Sequence, residues 1–250
     1  MSSDNSISIF KPNGENKKES ISRREITISV KGQYETKIPL RNPIDIAFVM
    51  DTTGSMSDKI QALISMVIKF VELPVKYNLD PKFLLVSFGD LKIWGDKIEL
   101  VCPLTENTSK IKRSLREIPR NSGGANEGES SFEAIEFTLN QDFRKESIKV
   151  LVLITDEPAH IDSITPGRLY NMVSSANFLA YVLSPDEPYY KELAKRFNGE
   201  WSEISAQSNL DSLKKLFESI AAKVSHRADD IFKLTGGDVS AYRRLTSGKS

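Results

Sequence analysis

The sequence predicts an α/β fold: a doubly wound, Rossmann-like, mostly parallel central sheet with helices on both faces, one antiparallel edge strand and an N-terminal β-hairpin. Three observations lead there. From Pro43 onward, short and uniformly apolar runs alternate with amphipathic stretches, as expected of parallel strands covered on both faces by crossover helices. Polar loops rich in Asp, Ser, Thr and Gly follow those runs directly, where such sheets collect their functional groups. One apolar run follows its neighbour too closely for a helical crossover, and so must pair antiparallel.

Taken in order, residues 1–20 are rich in Ser, Asn, Lys and Glu and read as a flexible arm. Residues 21–41 form the hairpin extension: Ile26 to Val30 alternates at a period of two, Lys31-Gly32-Gln33 supplies a turn, and Tyr34 to Leu40 returns. The main domain spans 42–224. Its strands are Ile44–Met50, Phe83–Phe88, the edge run Ile98–Val101, Val150–Ile154, Phe178–Leu183 and a short opposite edge from Trp201 to Ile204. Helices are predicted over Ser57–Tyr77, ended or kinked by Pro74, then Ser109–Ile118, Ser130–Leu139, Pro166–Ser175, Tyr189–Phe197 and Leu210–Val224. The last carries the apolar stripe Leu210, Leu213, Leu216, Phe217 and Ile220. Residues 225–250 form a C-terminal extension whose Ile231, Phe232, Leu234, Tyr242 and Leu245 can dock on a partner or on the domain.

Composition narrows the function classes. The 34 basic and 34 acidic side chains cancel, so no overall field draws the chain to nucleic acid or to an anionic membrane. Apolar runs reach about eight residues, against the roughly 20 of a membrane-spanning helix. A lone cysteine, Cys102, and a polar N-terminus without a signal-peptide core point to a reducing, cytoplasmic setting. Cys102 reads as a packed small apolar group, and His160 and His226 as surface residues too far apart in sequence for a zinc site.

Three loops carry the chemistry. Asp51-Thr52-Thr53-Gly54-Ser55-Met56-Ser57 leaves the first strand and opens the long helix, offering a carboxylate and two hydroxyls in one tight turn. Hard oxygen ligands of this kind suit Mg²⁺ or Mn²⁺. Thr155-Asp156-Glu157 at a later strand end supplies a second carboxylate, and the order 3-2-1-4-5-6 would set that strand beside the first so that Asp51 and Asp156 face each other. Between them in sequence, Asn121-Ser122-Gly123-Gly124-Ala125-Asn126-Glu127-Gly128-Glu129 is a glycine-rich loop able to bring further oxygens. The simpler account of Asp51 and Asp156 is capping and turn formation.

The set Asp51-x-Thr53-Gly54-Ser55-Met56, Gly123-Gly124 and Ile154-Thr155-Asp156 resembles a von Willebrand factor A domain with its metal-ion-dependent adhesion site, over roughly residues 42 to 224. The loops Ser87-Phe88-Gly89-Asp90 and Thr155 to His160 resemble the intracellular, alpha-kinase-associated type. The resemblance implies a Mg²⁺ or Mn²⁺ site with Thr53 and Ser55 as hydroxyl ligands and Asp51 and Asp156 binding directly or through water. It also implies capture of an acidic side chain from a partner protein. Ala125 stands where the family usually has a threonine, so either Asn126, Glu127 or Glu129 replaces that ligand or the site holds metal less tightly. Asp90 is either a carboxylate behind the ion or a turn residue.

Two alternatives remain beside a non-enzymatic binding module in an intracellular multi-protein system. One is a scaffolding subunit with a degenerate metal site. The other is a metal-dependent phosphatase-like hydrolase, which lacks a second aspartate at Thr53 and a lysine evidently placed for a phosphoryl group.

Overall fold

The computed structural model describes residues 25–30, 34–39, 42–72, 79–123, 128–204, 210–236, 238, 239, 241 and 244. The arm expected over residues 1–20 lies outside them, as do Pro74, Tyr242 and Leu245. Two compact units divide the chain after Asn42. In the first, β1 (Glu25–Val30) and β2 (Tyr34–Pro39) pair antiparallel from Glu25↔Pro39 to Val30↔Tyr34, the expected hairpin.

The second unit is built on six strands, β3 (Asn42–Asp51), β4 (Leu79–Phe88), β5 (Glu99–Thr105), β6 (Ile148–Ile154), β7 (Phe178–Ser184) and β8 (Trp201–Glu203). They lie in the order β5-β4-β3-β6-β7-β8. Counted within the sheet this is 3-2-1-4-5-6. Pairs β3–β6, β6–β7 and β7–β8 are parallel, and β4–β5 is antiparallel, because the loop between β4 and β5 is too short for a crossover.

The helices are α1 (Ser57–Phe70), α2 (Thr108–Arg116), α3 (Ser131–Leu139), α4 (Pro166–Ala176), α5 (Pro188–Arg196) and α6 (Leu210–Thr235). Side chains alternate along β3 and divide the core in two. Ile44, Ile46, Phe48 and Met50 belong to one cluster with Ile60 and Val67 of α1, Ile111 and Leu115 of α2, and Val224, Ala228 and Ile231 of α6. Ala47 and Val49 belong to the other, with Phe132 and Ile135 of α3, Leu169 and Val173 of α4, and Tyr190 and Leu193 of α5. Both faces of the sheet are therefore covered.

Local chemistry sets several boundaries. Asn107 caps α2 by accepting from the Lys110 amide at 3.0 Å, and Pro166 follows the Thr165 cap of α4, which ends on Asn177 in the left-handed region. Two predicted helix ends differ. Helix α1 gives way to a turn at Val71, short of the expected Tyr77. Helix α6 runs past Val224 to Thr235 because Ala228, Ile231 and Phe232 continue its buried face, and only Gly236, at φ +65°, follows to stop it. Of the residues expected to dock from a C-terminal extension, Ile231 and Phe232 lie in the domain core, and Leu234 is exposed.

Cys102 is buried within β5. Among the described residues no helix is long and apolar enough to cross a membrane.

Candidate metal centre

The register of β3 against β6, with Met50 opposite Ile154, carries Asp51 and the pair Thr155-Asp156 to neighbouring strand ends. Asp51 is fully buried. Its Oδ1 accepts from the Thr53 amide at 2.9 Å and from Thr53 Oγ1 at 2.6 Å, while Oδ2 accepts from Thr155 Oγ1 at 2.7 Å. The first of these is the turn that Asp favours at a helix start, so local capping chemistry is present as well.

From Thr53 the contacts run on. Thr53 Oγ1 and Ser55 Oγ stand 3.1 Å apart, and Ser55 Oγ donates to Asp156 Oδ1 at 2.8 Å. A hydroxyl has one proton to give. Thr53 can give its proton to Asp51 and Ser55 its own to Asp156, an arrangement that leaves the two hydroxyl oxygens 3.1 Å apart as acceptors. A cation held between them would satisfy both.

The other oxygen of Asp156 is taken. Lys59 Nζ, one helical turn beyond Ser55, donates to Asp156 Oδ2 at 3.0 Å, and the ammonium end of this side chain is buried with its partner. No lysine was expected here. The signal was its place: Lys59 falls beside Ile60 and Leu63 on the face of α1 that is otherwise apolar. Thr155 is a second unanticipated member of the site, although its position at the end of β6 next to Asp51 follows from the strand order.

The glycine-rich loop closes one side. Gly54 N donates to Ser122 O at 3.1 Å, and a Cβ at Gly54 would come within 2.9 Å of that oxygen, so the two loops meet backbone to backbone. Gly123 has φ +69°, and a Cβ there would lie 3.0 Å from Thr53 Cβ and 3.3 Å from Glu129 Oε1. Glycine thus keeps open the space between Thr53 and Glu129. Glu129 is itself buried, tied to the third loop by its amide to Pro158 O at 2.8 Å and by its carbonyl to the His160 amide at 2.9 Å. Its Oε2 has no hydrogen-bond partner among the described residues. Gly124, Ala125, Asn126 and Glu127 lie outside them.

Burial raises both central carboxyls. Asp51 is pushed up from 3.8 to about 6 by burial, which outweighs the bonds from Thr53 and Thr155 that pull it down, with a smaller push from Asp156. Glu129 is pushed up to about 9 by burial first, then by the charges of Asp51, Asp90, Asp96 and Glu157. Carboxyls held this far above their ordinary range, one with an unmet oxygen, are groups that a nearby cation would restore to the ionised form.

Asp90 makes the turn contact that was one of its two expected roles. Its Oδ1 accepts from the Lys92 amide at 2.9 Å, a turn contact, and lies 3.1 Å from His160 Nε2. Its Oδ2 is buried without a partner among the described residues, behind the loops. His160 is therefore not at the surface: it is 8% exposed and ties the third loop to the loop after β4. His226 is exposed, as expected. Asp96 accepts from the amides of Ser122 and Gly123 at 2.7 and 2.9 Å and so fixes the start of the glycine-rich loop.

Among the described residues no three carboxylate, imidazole or thiol groups gather into a closed metal cage. What is brought together is the open set Asp51, Thr53, Ser55 and Asp156, with Glu129 across Gly123. Two carboxylates and two hydroxyls fit a hard divalent ion that keeps waters and open positions. They do not fit a tetrahedral structural zinc.

Alpha-protein kinase vwkA of Dictyostelium discoideum is 28% identical over 156 residues, which are 59% of this chain and 24% of that protein. The chain thus spans about a quarter of the relative's length. Solved structures of proximal thread matrix protein 1 from the mussel byssus share the fold. One, in a second crystal form, has a TM-score of 0.59 at 12% identity, covering 74% of this chain and 49% of that one. Another, described with a zinc-occupied metal-ion-dependent adhesion motif, has a TM-score of 0.58 at 16% identity, covering 74% and 46%. The family model of the von Willebrand factor A domain matches residues 45–177, and the chain belongs to that family.

Proposed function

We propose that the chain is a protein-binding module in which Asp51, Thr53, Ser55 and Asp156 hold Mg²⁺ or Mn²⁺, and in which an acidic side chain of a partner protein completes the ion's coordination. The observation that carries this is the 3.1 Å approach of Thr53 Oγ1 and Ser55 Oγ, each with a carboxylate oxygen in reach to take its proton. Glu129 takes the part of the second-loop ligand that Ala125 lacks, facing Thr53 across Gly123. When bound, the ion supplies a Lewis-acidic position for the partner's carboxylate. The chain's own side chains fix that position. Asp90, hydrogen-bonded to His160, supports the loops from behind.

The surroundings favour binding over reaction. No hydroxyl in the set lies beside a free base, since each proton already goes to a carboxylate, and Lys59 is tied to Asp156 and not free to steady a phosphoryl group. The kinase activity in the name of vwkA belongs to a protein of which this chain matches 24%. Among the described residues the exposed large apolar side chains are Leu91, Trp94, Ile161 and Leu234. Three of the four stand on the loops around the site, where Lys92 and Asp162 pair at 2.9 Å. Such a cluster marks a contact surface. We also propose that this module works inside the cell as part of a multi-protein system; the similarity to a protein named as a kinase is compatible with that.

Partner association in the presence and absence of chelator tests the reading. Association lost on chelation, restored by Mg²⁺ or Mn²⁺ and absent from Asp51→Ala is the expected result. Association indifferent to chelator and to Asp51→Ala contradicts it and leaves a scaffolding subunit.

A further inference from the structure

Lys59 stands out among the charged side chains of the domain: it is 5% exposed, on the core face of a helix, with its ammonium on a carboxylate of the proposed metal set. The two oxygens of Asp156 are divided between residues four apart on one helical start, Ser55 on Oδ1 at 2.8 Å and Lys59 on Oδ2 at 3.0 Å. Helical side chains lean toward the N-terminus. Lys59 therefore reaches back over the turn that carries Ser55, and its charge sits where a cation shared by Ser55 and Asp156 would feel it.

Burial of an ammonium is costly unless a charge and good geometry offset it. A lysine at this position is unnecessary for packing, because Ile60, Leu63 and Val67 already cover the sheet from α1. Its partner is a carboxylate that the metal also needs. Direct ligation through Asp156 Oδ2 would require that oxygen to leave Lys59, and ligation through water would leave two positive charges close together.

We propose that Lys59 is a resident counter-cation that competes with the divalent metal for Asp156, holding the loops together when metal is absent and setting how tightly metal binds when it is present. This deepens the metal-centre reading and rests on it. It also gives a role to a residue that weakens the metal. By offsetting the charge of Asp156, Lys59 leaves the loaded centre more positive, and so more attractive to a partner's carboxylate.

The test is calorimetric titration of the full chain with Mn²⁺ alone, in the parent protein and in Lys59→Met, Lys59→Gln and Lys59→Arg. Expected are a Mn²⁺ affinity roughly tenfold or more higher in Lys59→Met and Lys59→Gln, an affinity in Lys59→Arg close to the parent's, and a lower metal-free thermal midpoint in the two neutral variants. Should Lys59→Met be too unstable to purify, Lys59→Gln makes the same comparison with a hydrogen bond to Asp156 retained. Binding detected only in the neutral variants also supports the proposal, since Lys59 then excludes the metal. Mn²⁺ affinity unchanged or weakened in both neutral variants overturns it, leaving Lys59 as a structural partner of Asp156. Absence of Mn²⁺ binding in every form, with the folds intact, overturns the metal-centre reading itself.

Discussion

Thr155 Oγ1 donates to Asp51 Oδ2 at 2.7 Å across the seam between β6 and β3, joining two residues 104 apart in sequence. This bond makes the third loop part of the first. With it, both oxygens of Asp51 are engaged by the protein, and the carboxylate is oriented before any ligand arrives. Thr155→Val is expected to cost about 1–3 kcal/mol, the penalty for leaving a buried acceptor oxygen unmet. It should weaken Mn²⁺ binding without abolishing it, since no proposed ligand is removed. Denaturant titration and Mn²⁺ calorimetry check both.

The carboxyls give the metal-free protein an unusual pH profile. Asp51 rises from 3.8 to about 6 and Glu129 from 4.5 to about 9 on folding. A carboxyl whose folded pKa lies above its unfolded value binds more protons in the folded state. Its contribution is greatest below the unfolded pKa and is lost as pH climbs to the folded one. For Asp51 the window runs from about pH 4 to about 6 and the loss is about 3 kcal/mol, from the 1.36 kcal/mol carried by each pKa unit. Denaturation in chelator should show a steeper loss across that window in the parent than in Asp51→Asn. Mg²⁺ should recover stability most at the high end and release protons on binding near pH 6. Parallel profiles for the two proteins would contradict the assignment.

The opposite end of the sheet supplies a control. Arg144 donates through Nε to Asp45 Oδ1 at 2.7 Å and through Nη1 to Asp80 Oδ2 at 2.5 Å, tying the starts of β3 and β4. Asp45 is wholly buried, so Arg144→Met strands its charge and should cost about 3–5 kcal/mol. The increase in thermal midpoint on adding Mn²⁺ should survive, because Arg144 sits at the far ends of these strands. Loss of that increase in a folded Arg144→Met protein would contradict the separation of the two ends.

Trp94 is 99% exposed on the loop after β4. Trp94→Ser is expected to change stability by less than about 0.5 kcal/mol, as surface substitutions usually do, while weakening partner association. Equal association by both proteins would remove this loop from the contact surface.

The strand order was legible because uniformly apolar runs and one short connection constrain an α/β sheet to few topologies. That order alone makes neighbours of Asp51 and Asp156. What stayed hidden depended on long-range packing. Lys59 carries no reading in the sequence because helical periodicity does not show which carboxylate waits under a core position. His160 read as a surface residue because its partner, Asp90, lies 70 residues away. The end of α6 was missed for a different reason: the apolar spacing past Val224 is carried partly by Ala228, a weak signal next to the leucines before it.

The central claim, that Asp51 and Asp156 with Thr53 and Ser55 form a divalent-metal centre, is tested most directly by Mn²⁺ titration of the purified chain beside Asp51→Ala and Asp156→Ala. A single saturable Mn²⁺ site that raises the thermal midpoint of the parent and is lost or severely weakened in both variants is the predicted result. A parent that binds no Mn²⁺, or variants that bind it as the parent does, would contradict the claim.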